Sequence, residues 1–295
     1  MHVPLDLARS LATVVDEGTL DAAARRLHIT PSAVSQRIRA LEDQLGRVLL
    51  VRSKPVRTTE AGDAVVRLAR QLALLEHDAL VGMGAAGGGA ASLPLAVNAD
   101  SLATWFLPPL ARVAARRDVV FDLHRDDQDF TAGLLESGTV MAAVTSRQTP
   151  VAGCRVRPLG VLRYEAVAAA PFARRWFADG VTPATLAAAP LVDFDRRDDL
   201  QTQWLRARGV AVEAPPRHRV PASQDFAAAV LLGLGWGLLP VFQSEPHLDD
   251  GALVRLGGDP VDVPLYWQQW NLTSPLLDEV ADELVAEGRR VLAEG

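Results

Sequence analysis

Hydrophobic positions near the start of the chain recur at the spacing of amphipathic helices and predict three short helices between residues 5 and 45. The first covers residues 5–17. Thr19 is the expected N-cap of a second helix over residues 20–27. Thr30 is the expected N-cap of a third, with Pro31 at its first position, where the missing N–H costs no intrahelical hydrogen bond.

The third predicted helix has two separable faces. Its apolar stripe is made by Val34, Ile38, Leu41 and Leu45. The opposite face carries Ser32, Ser35, Gln36 and Arg39. Short hydrogen-bonding groups beside a long cation are suited to base edges and phosphates, whereas a solvated helix face more often shows Glu/Lys pairs.

A basic segment follows this helix. Residues 48–51 are apolar and β-prone, and residues 52–57 read as a tight turn and a return strand carrying Arg52, Lys54 and Arg57. A helix-turn-helix followed by a basic wing favours DNA binding over the alternative, a charged surface hairpin.

Thr58 or Thr59 caps a long predicted helix with an a/d-type seam. The seam positions are Ala61, Val65, Leu68, Leu72, Leu75 and Ala79. This spacing is typical of a helix that pairs with another helix, so it predicts a dimer held by Val65, Leu68, Leu72 and Leu75. A glycine-rich hinge over residues 82–90 follows.

Beyond the hinge, short apolar runs alternate with helical patterns and predict an α/β module with a mostly parallel sheet. Strands are expected at 93–97, 119–123, 140–145, 164–169, 191–194, 237–240 and 264–270, and helices at 102–115, 130–136 and 275–293. Residues 226–242 carry no charge, but their glycines and proline favour a buried helix and strand over a membrane span.

Composition is that of a globular protein, with 49% hydrophobic and 22% charged residues in 295. The net charge is -6, yet residues 1–58 are basic, with nine Lys or Arg against six acids. A basic head on an acidic body is typical of a nucleic-acid reader joined to a second module. The single cysteine, Cys154, and the absence of a signal-peptide pattern favour a cytoplasmic protein.

The stretch AARRLHITPSAVSQRIRALEDQLGRVLLVRSKPVRTTEAG, residues 23–62, resembles the LysR-type transcriptional regulators. The motif NADSLATW at residues 98–105 is similar to the branch that senses lysine and arginine, the ArgP/LysG group. LVDFD at 191–195, GWG at 235–237 and LYW at 265–267 match as well.

The resemblance implies an α+β multidomain protein with a winged helix-turn-helix, a dimerising linker helix and a two-lobe α/β effector domain of periplasmic-binding-protein type. The expected units are residues 1–58, 59–81, a hinge at 82–90, and 91–295. Lobe one is expected at about 91–161 and 267–295, and lobe two at about 162–266.

The resemblance also implies the partners. They are double-stranded DNA, a second copy of the chain in a dimer or tetramer, RNA polymerase, and L-lysine or L-arginine as effector. Members of this branch typically control basic amino-acid export genes. No cofactor, metal or membrane contact is expected.

The candidate DNA-binding residues lie on the third helix and the wing. They are Thr30, Pro31, Ser32, Ser35, Gln36, Arg37, Arg39, Arg52, Lys54 and Arg57. This chain departs from the family pattern at Pro31-Ser32, where many members carry a Gln-Pro pair, so the family's base contacts at those two positions do not carry over directly.

The candidate effector residues follow predicted strands or open predicted helices. Ser101 and Ser223 are expected to hold a carboxylate at helix starts, with simple N-caps as the alternative. Carboxylates are expected to bind the cations of the ligand, and the candidates are Asp100, Asp126, Asp127, Asp129 and Asp225. Trp105 or Phe194 is expected to line the path of its methylene groups. The full set is Asn98, Asp100, Ser101, Trp105, Asp127, Asp129, Thr145, Phe194, Asp195, Ser223 and Asp225.

Nothing in the sequence indicates catalysis. The six histidines are scattered, no GxSxG or phosphate-binding loop is present, and arginines interleave the acids of residues 193–199, which favours a solvated loop over a metal site. Three alternatives stay open: a LysR-type regulator of another effector, a two-lobe binding protein or enzyme, and an architectural DNA binder. The second leaves residues 1–80 unexplained, and the third leaves the α/β module unexplained.

Overall fold

The computed structural model describes residues 2–51, 53–84, 90–125 and 131–293. The N-terminal domain begins with three helices, α1 (Leu5–Glu17), α2 (Leu20–Arg26) and α3 (Pro31–Leu45). The Thr19 and Thr30 hydroxyls accept hydrogen bonds from the first turns of α2 and α3, which confirms both predicted N-caps. Leu11, Val34 and Leu41 are fully buried between the helices.

The predicted wing is a short antiparallel hairpin, β1 (Leu50–Val51) and β2 (Arg57–Thr58). Helix α3 anchors its base, because Glu42 Oε1 accepts the backbone N–H of Leu49 at 2.8 Å.

The linker helix α4 (Glu60–Gly82) starts close to the wing. Its N-cap is Thr59, whose hydroxyl accepts the Gly62 N–H at 3.1 Å. A Cβ on Gly62 would lie 2.1 Å from the Leu49 carbonyl oxygen, so only glycine allows this approach. The hinge expected at 82–90 begins at the helix end, and residues 85–89 lie outside the described residues.

Only part of the predicted dimerisation seam on α4 is exposed at the surface of the chain. Val65 packs into the core of the N-terminal domain and is 7% exposed, so it presents little surface to a second copy. Leu68, Leu72 and Leu75 are half-buried. Their role in a dimer stays a prediction.

Lobe one is a layer of helices on one part of a mixed sheet. Its elements are β3 (Ala91–Val97), α5 (Ala99–Thr104), α6 (Leu107–Ala114), β4 (Val119–Arg125), α7 (Thr131–Glu136) and β5 (Ala142–Thr145). Strand β3 lies between β4 and β5 and is parallel to both.

Two long strands carry the chain between the lobes. Strand β6 (Cys154–Ala169) leads from lobe one into lobe two, and β11 (Val261–Trp270), its antiparallel partner, leads back. The sheet order is β10-β6-β11-β5-β3-β4, and β9 also pairs with β6. The expectation of a mostly parallel sheet is therefore wrong, because the chain crosses between lobes along antiparallel strands that also pair with β5, β9 and β10.

Lobe two surrounds the far end of β6. Its elements are α8 (Ala170–Trp176), α9 (Pro183–Ala188), β7 (Leu191–Asp193), α10 (Leu200–Arg206), β8 (Arg217–Arg219), α11 (Ser223–Leu231), β9 (Gly237–Pro240), α12 (Val241–Asp249) and β10 (Leu253–Arg255). The chain then returns through β11 to α13 (Pro275–Val291), which packs on lobe one.

The uncharged run over residues 226–242 forms most of helix α11 and then strand β9, as predicted, and its last two residues begin α12. Across the described ranges, no helix has both the length and the apolar character that a bilayer crossing requires.

The helix predicted over 102–115 is wrong, since the structure has two helices there. Helix α5 ends at Thr104 and α6 begins at Leu107. Pro108 and Pro109 follow, and without N–H groups they cannot bond to the carbonyls four residues earlier, so a continuous helix would lose two hydrogen bonds at this point.

Candidate functional site

The exposed face of α3 presents part of the predicted polar set. Ser32, Gln36 and Arg39 are exposed, whereas Ser35 is half-buried beside Leu20 and Ile38. Pro31 is also exposed at the first position of the helix. The exposed face of α3 therefore includes Ser32, Gln36 and Arg39 but only part of Ser35, and is narrower than the face predicted to contact DNA.

Three predicted contact residues have hydrogen-bond partners within the chain. Thr30 caps α3 through the Ala33 N–H at 3.2 Å and shares a hydrogen bond with Ser32 at 2.9 Å. Arg37 donates to Ser10 Oγ at 3.1 Å, which turns it towards α1. On the wing, Lys54 and Arg57 are exposed, and Arg52 lies outside the described residues.

A second site is the cavity between the two lobes, which we call the interlobe cavity. It holds about 140 Å³ of solvent-accessible space. Its described lining residues are Asn98, Ala99, Asp100, Arg125, Tyr164, Phe194, Asp195, Arg197, Asp198, Leu200, Gln201, Pro221, Phe226, Leu238, Pro240 and Gln243. Three carboxylates and two guanidinium groups are among them.

Asp100 is held in the cavity wall by hydroxyl groups. Tyr164 on β6 donates to Asp100 Oδ2 at 2.7 Å, and Ser223 at the start of α11 donates to the same carboxylate. Gln243 Nε2 donates to Ser223 Oγ at 3.0 Å, which leaves the hydroxyl proton for Asp100. Burial raises the pKa of Asp100, while the hydrogen bonds from Ser223 and Tyr164 act to lower it.

The loop after β7 forms the other acidic wall. Asp195 Oδ1 accepts the backbone N–H groups of Arg197 at 2.6 Å and Asp198 at 3.1 Å. Burial acts to raise the pKa of Asp195, but these hydrogen bonds and the Arg197 charge outweigh it, so the pKa is lowered. The loop thus presents an anionic carboxylate beside a cation.

Asp198 lies deeper in the same wall. Its Oδ1 accepts the Leu200 N–H at 3.0 Å. Burial raises the pKa of Asp198 to about 6, and the charges of Asp193 and Asp100 act in the same direction, against the backbone hydrogen bonds of Leu200 and Phe194. A cation in the cavity would relieve this destabilised carboxylate.

The two lobes touch along one edge of the cavity. Arg125, the last residue of β4, donates to the Pro221 carbonyl at 3.3 Å. Gln224 on α11 donates to the Ala103 carbonyl on α5 at 3.0 Å. These two hydrogen bonds and the contact between Ser223 and Asp100 all join one lobe to the other. The shape of the cavity wall therefore depends on the relative position of the two lobes.

The cavity brings together some of the predicted effector residues. Asn98, Asp100, Phe194 and Asp195 line it, and Ser223 contacts it through Asp100.

Four other predicted effector residues do not line the cavity in the described part of the chain. Ser101 and Thr145 are fully buried, Trp105 packs in the core of lobe one, and Asp225 is exposed on α11. The prediction that Ser101 opens a helix is wrong, because α5 begins at Ala99 and Ser101 lies inside it. Asp126, Asp127 and Asp129 lie outside the described residues.

The sequence interpretation missed the lining residues Arg125, Arg197, Asp198, Gln201 and Gln243. Arg125 ends the strand predicted over 119–123, so strand-end position was an available signal. The sequence predicts that the loop acid Asp198 is solvated, and it predicts no helix at Gln201 or Gln243. Their burial depends on tertiary packing, which has no local sequence signal.

A winged helix-turn-helix joined by a long helix to a two-lobe α/β module with a cavity between its lobes defines a ligand-responsive transcriptional regulator. Residues 5–63 match the family of bacterial regulatory helix-turn-helix proteins of the lysR type, and residues 86–289 match the LysR substrate-binding domain. The chain belongs to the LysR family of transcriptional regulators.

Curated relatives match over nearly the whole chain. The HTH-type transcriptional regulator LysG of Mycobacterium tuberculosis is 48% identical over 282 residues, which are 94% of this chain and 91% of that protein. The lysine export transcriptional regulatory protein LysG of Corynebacterium efficiens is 43% identical over 281 residues, with 95% and 96% covered.

Solved structures match in fold as well. The crystal structure of ArgP from Mycobacterium tuberculosis superposes with a TM-score of 0.85 at 46% identity, covering 98% of each chain. Full-length LysG from Corynebacterium glutamicum with bound effector Arg superposes with a TM-score of 0.77 at 37% identity, covering 98% of this chain and 99% of that one.

Proposed function

We propose that this regulator binds L-arginine or L-lysine in the interlobe cavity and controls a gene for the export of basic amino acids. The observation that carries the proposal is the charge of the cavity wall, with Asp100, Asp195 and Asp198 set against Arg125 and Arg197. A basic amino acid has one carboxylate and two cations, so its charges complement the three acids and two bases of the wall.

The positions of the groups suggest how the ligand lies. Arg125 and Arg197 are the donors for the α-carboxylate, because charge-assisted hydrogen bonds from arginine suit a carboxylate. Asp100 and Asp198 are the acceptors for the cations, and Phe194 provides an apolar surface for the methylene groups.

The relatives support the same ligand class. A regulator at 43% identity is named for lysine export, and a structure at 37% identity holds the effector Arg. The proposal also includes the domain limits given above, a homodimer paired through α4, contact with RNA polymerase, and a place in the cytoplasm, where the operator DNA of a bacterial regulator lies.

Ligand binding is coupled to DNA binding through lobe closure in this proposal. The two lobes can lie open or closed around the cavity. A ligand that contacts both lobes shifts this equilibrium towards the closed arrangement only as far as it binds the closed arrangement more tightly than the open one. We expect the contacts from Arg125 to Pro221 and from Gln224 to Ala103, which join the two lobes in this structure, to contribute to that difference.

Calorimetric titration of the full-length protein with L-arginine, L-lysine and L-norleucine tests the ligand class. We expect micromolar binding of at least one basic amino acid and none of L-norleucine, which lacks the second cation. The variant Asp100→Asn should weaken the basic ligand, and the matched control Asp225→Asn, outside the cavity, should not.

The same samples are then used in footprinting on the intergenic DNA beside the gene. We expect a footprint without ligand that changes when the basic amino acid is added. Equal binding of L-norleucine, or binding of neither basic amino acid, would refute the effector assignment and leave the DNA-binding function intact.

A further inference from the structure

The interlobe cavity is lined by two glutamines whose amide oxygens are buried and have no hydrogen-bond donor among the described residues. Gln201 on α10 is 2% exposed and lines the cavity, and its Oε1 accepts no hydrogen bond from any residue in the described ranges. A buried carbonyl without a donor is destabilising, and most such groups in native proteins have a partner. A ligand with N–H groups supplies that partner.

Gln243 on α12 repeats this arrangement at a second point of the cavity wall. Its Nε2 donates to Ser223 at 3.0 Å, which fixes the orientation of the amide. Its Oε1 is buried and lacks a donor within the part of the chain that the structure describes. Because Ser223 in turn donates to Asp100, the position of this oxygen is linked to that of the carboxylate.

Both groups are neutral, so they cannot be needed to balance the charge of a ligand. The carboxylates of Asp100 and Asp198 already do so. What the amides add is acceptors for further N–H groups at separate points of the wall, on α10 and on α12.

The two basic amino acids differ in this respect. A lysine ammonium has three N–H groups on one atom, whereas an arginine guanidinium has five on a planar fork of three nitrogens. Acceptors on separate helices suit the wider fork. We propose, building on the effector function above, that Gln201 and Gln243 select a guanidinium group and make L-arginine the preferred effector.

The test compares L-arginine and L-lysine by calorimetric titration of the full-length protein and of Gln201→Met. Methionine keeps the length of the side chain and removes the amide. We expect the parent to bind L-arginine more tightly, and the variant to lose at least tenfold in affinity for L-arginine, about 1.4 kcal/mol. Binding of L-lysine should fall by less than about threefold.

Gln203→Met is the matched control. Gln203 lies on the same helix, is exposed, and does not line the interlobe cavity, so both affinities should stay as in the parent. If Gln201→Met fails to fold, Gln243→Met carries the same expectation from helix α12. Gln201→Glu, which retains an acceptor, should keep L-arginine binding within about threefold of the parent.

The outcomes separate the two proposals. A parent protein that binds neither amino acid refutes the effector function. A parent that binds L-lysine as tightly as L-arginine, or a Gln201→Met variant that loses both equally or neither, refutes the selection of a guanidinium and leaves the effector function in place.

Discussion

Asp198 gives the sharpest quantitative prediction, because burial raises its pKa from 3.8 to about 6. The folded protein therefore holds this proton more tightly than the unfolded chain does. The resulting loss of stability develops as the pH rises from about 4 to about 6 and is complete above that range. Near pH 7 the ionised carboxylate destabilises the ligand-free protein by up to about 3 kcal/mol, at 1.36 kcal/mol per pKa unit.

The substitution Asp198→Asn removes this charge and leaves an oxygen for the Leu200 N–H. We expect the ligand-free variant to unfold at a higher temperature than the parent at pH 7, by several degrees at about 2–4 °C per kcal/mol. Below about pH 4 the two proteins should have the same unfolding temperature. Asp199→Asn, which changes an exposed neighbour outside the interlobe cavity, is the control.

Ligand binding should depend on pH in the opposite sense. A cationic effector binds the ionised form of Asp198, and that form rises from roughly one tenth at pH 5 to roughly nine tenths at pH 7. We expect affinity for L-arginine to increase about tenfold over this range in the parent.

The pH dependence is measured by calorimetric titration of the parent and of Asp198→Asn. Asp100 also has a raised pKa and contributes to the parent profile, so the difference between the two proteins is the quantity that isolates Asp198. Binding of L-arginine that does not change between pH 5 and pH 7, or an Asp198→Asn variant less stable than the parent at pH 7, would show that the carboxylate does not meet the ligand cation.

Three further predictions concern DNA binding, assembly and the linker. Gln36→Ala should weaken operator binding by ~1–3 kcal/mol and relax specificity, whereas Arg57→Ala should weaken all sequences alike and reduce the salt slope by about one unit in mobility-shift titrations; unchanged binding by both would show that α3 is not the recognition helix. Leu72→Asp should yield weakly binding monomers in sedimentation, and an unchanged oligomer would exclude the α4 seam. Gly138→Ala should lower the free energy of unfolding by roughly 2 kcal/mol or more, and the unfolding temperature with it, because Gly138 has a φ of 72° and an added Cβ would lie 2.4 Å from Arg67 Cβ on α4. A variant as stable as the parent would show that the linker helix does not need this contact.

The N-terminal domain could be predicted well because its signals are local. Thr19 and Thr30 cap their helices, and Gly46 ends α3 in the left-handed conformation. These positions follow from short-range hydrogen bonding and from the apolar stripe of α3, which need no knowledge of distant residues.

The two-lobe module was predicted less completely. The direction of β6 and β11 depends on pairing between residues about a hundred positions apart, and neither their lengths nor their antiparallel order has a local signal. Prediction of the interlobe cavity from the sequence has the same limitation. Asp100 and Phe194 follow strands and could be found, but Gln201 and Gln243 are polar helix residues whose place in the cavity wall follows only from tertiary packing.

The pairing of β6 with β11 also has a consequence for protein engineering. Gly160 and Leu265 are directly opposite each other in the ladder, so the segment between them leaves and rejoins the chain at neighbouring points. Lobe two is therefore an insertion with adjacent ends, the arrangement in which a module can be exchanged most easily. Exchange at this pair of positions would replace the α10 and α12 walls of the cavity while the helix-turn-helix, the linker helix and most of lobe one keep their own sequence.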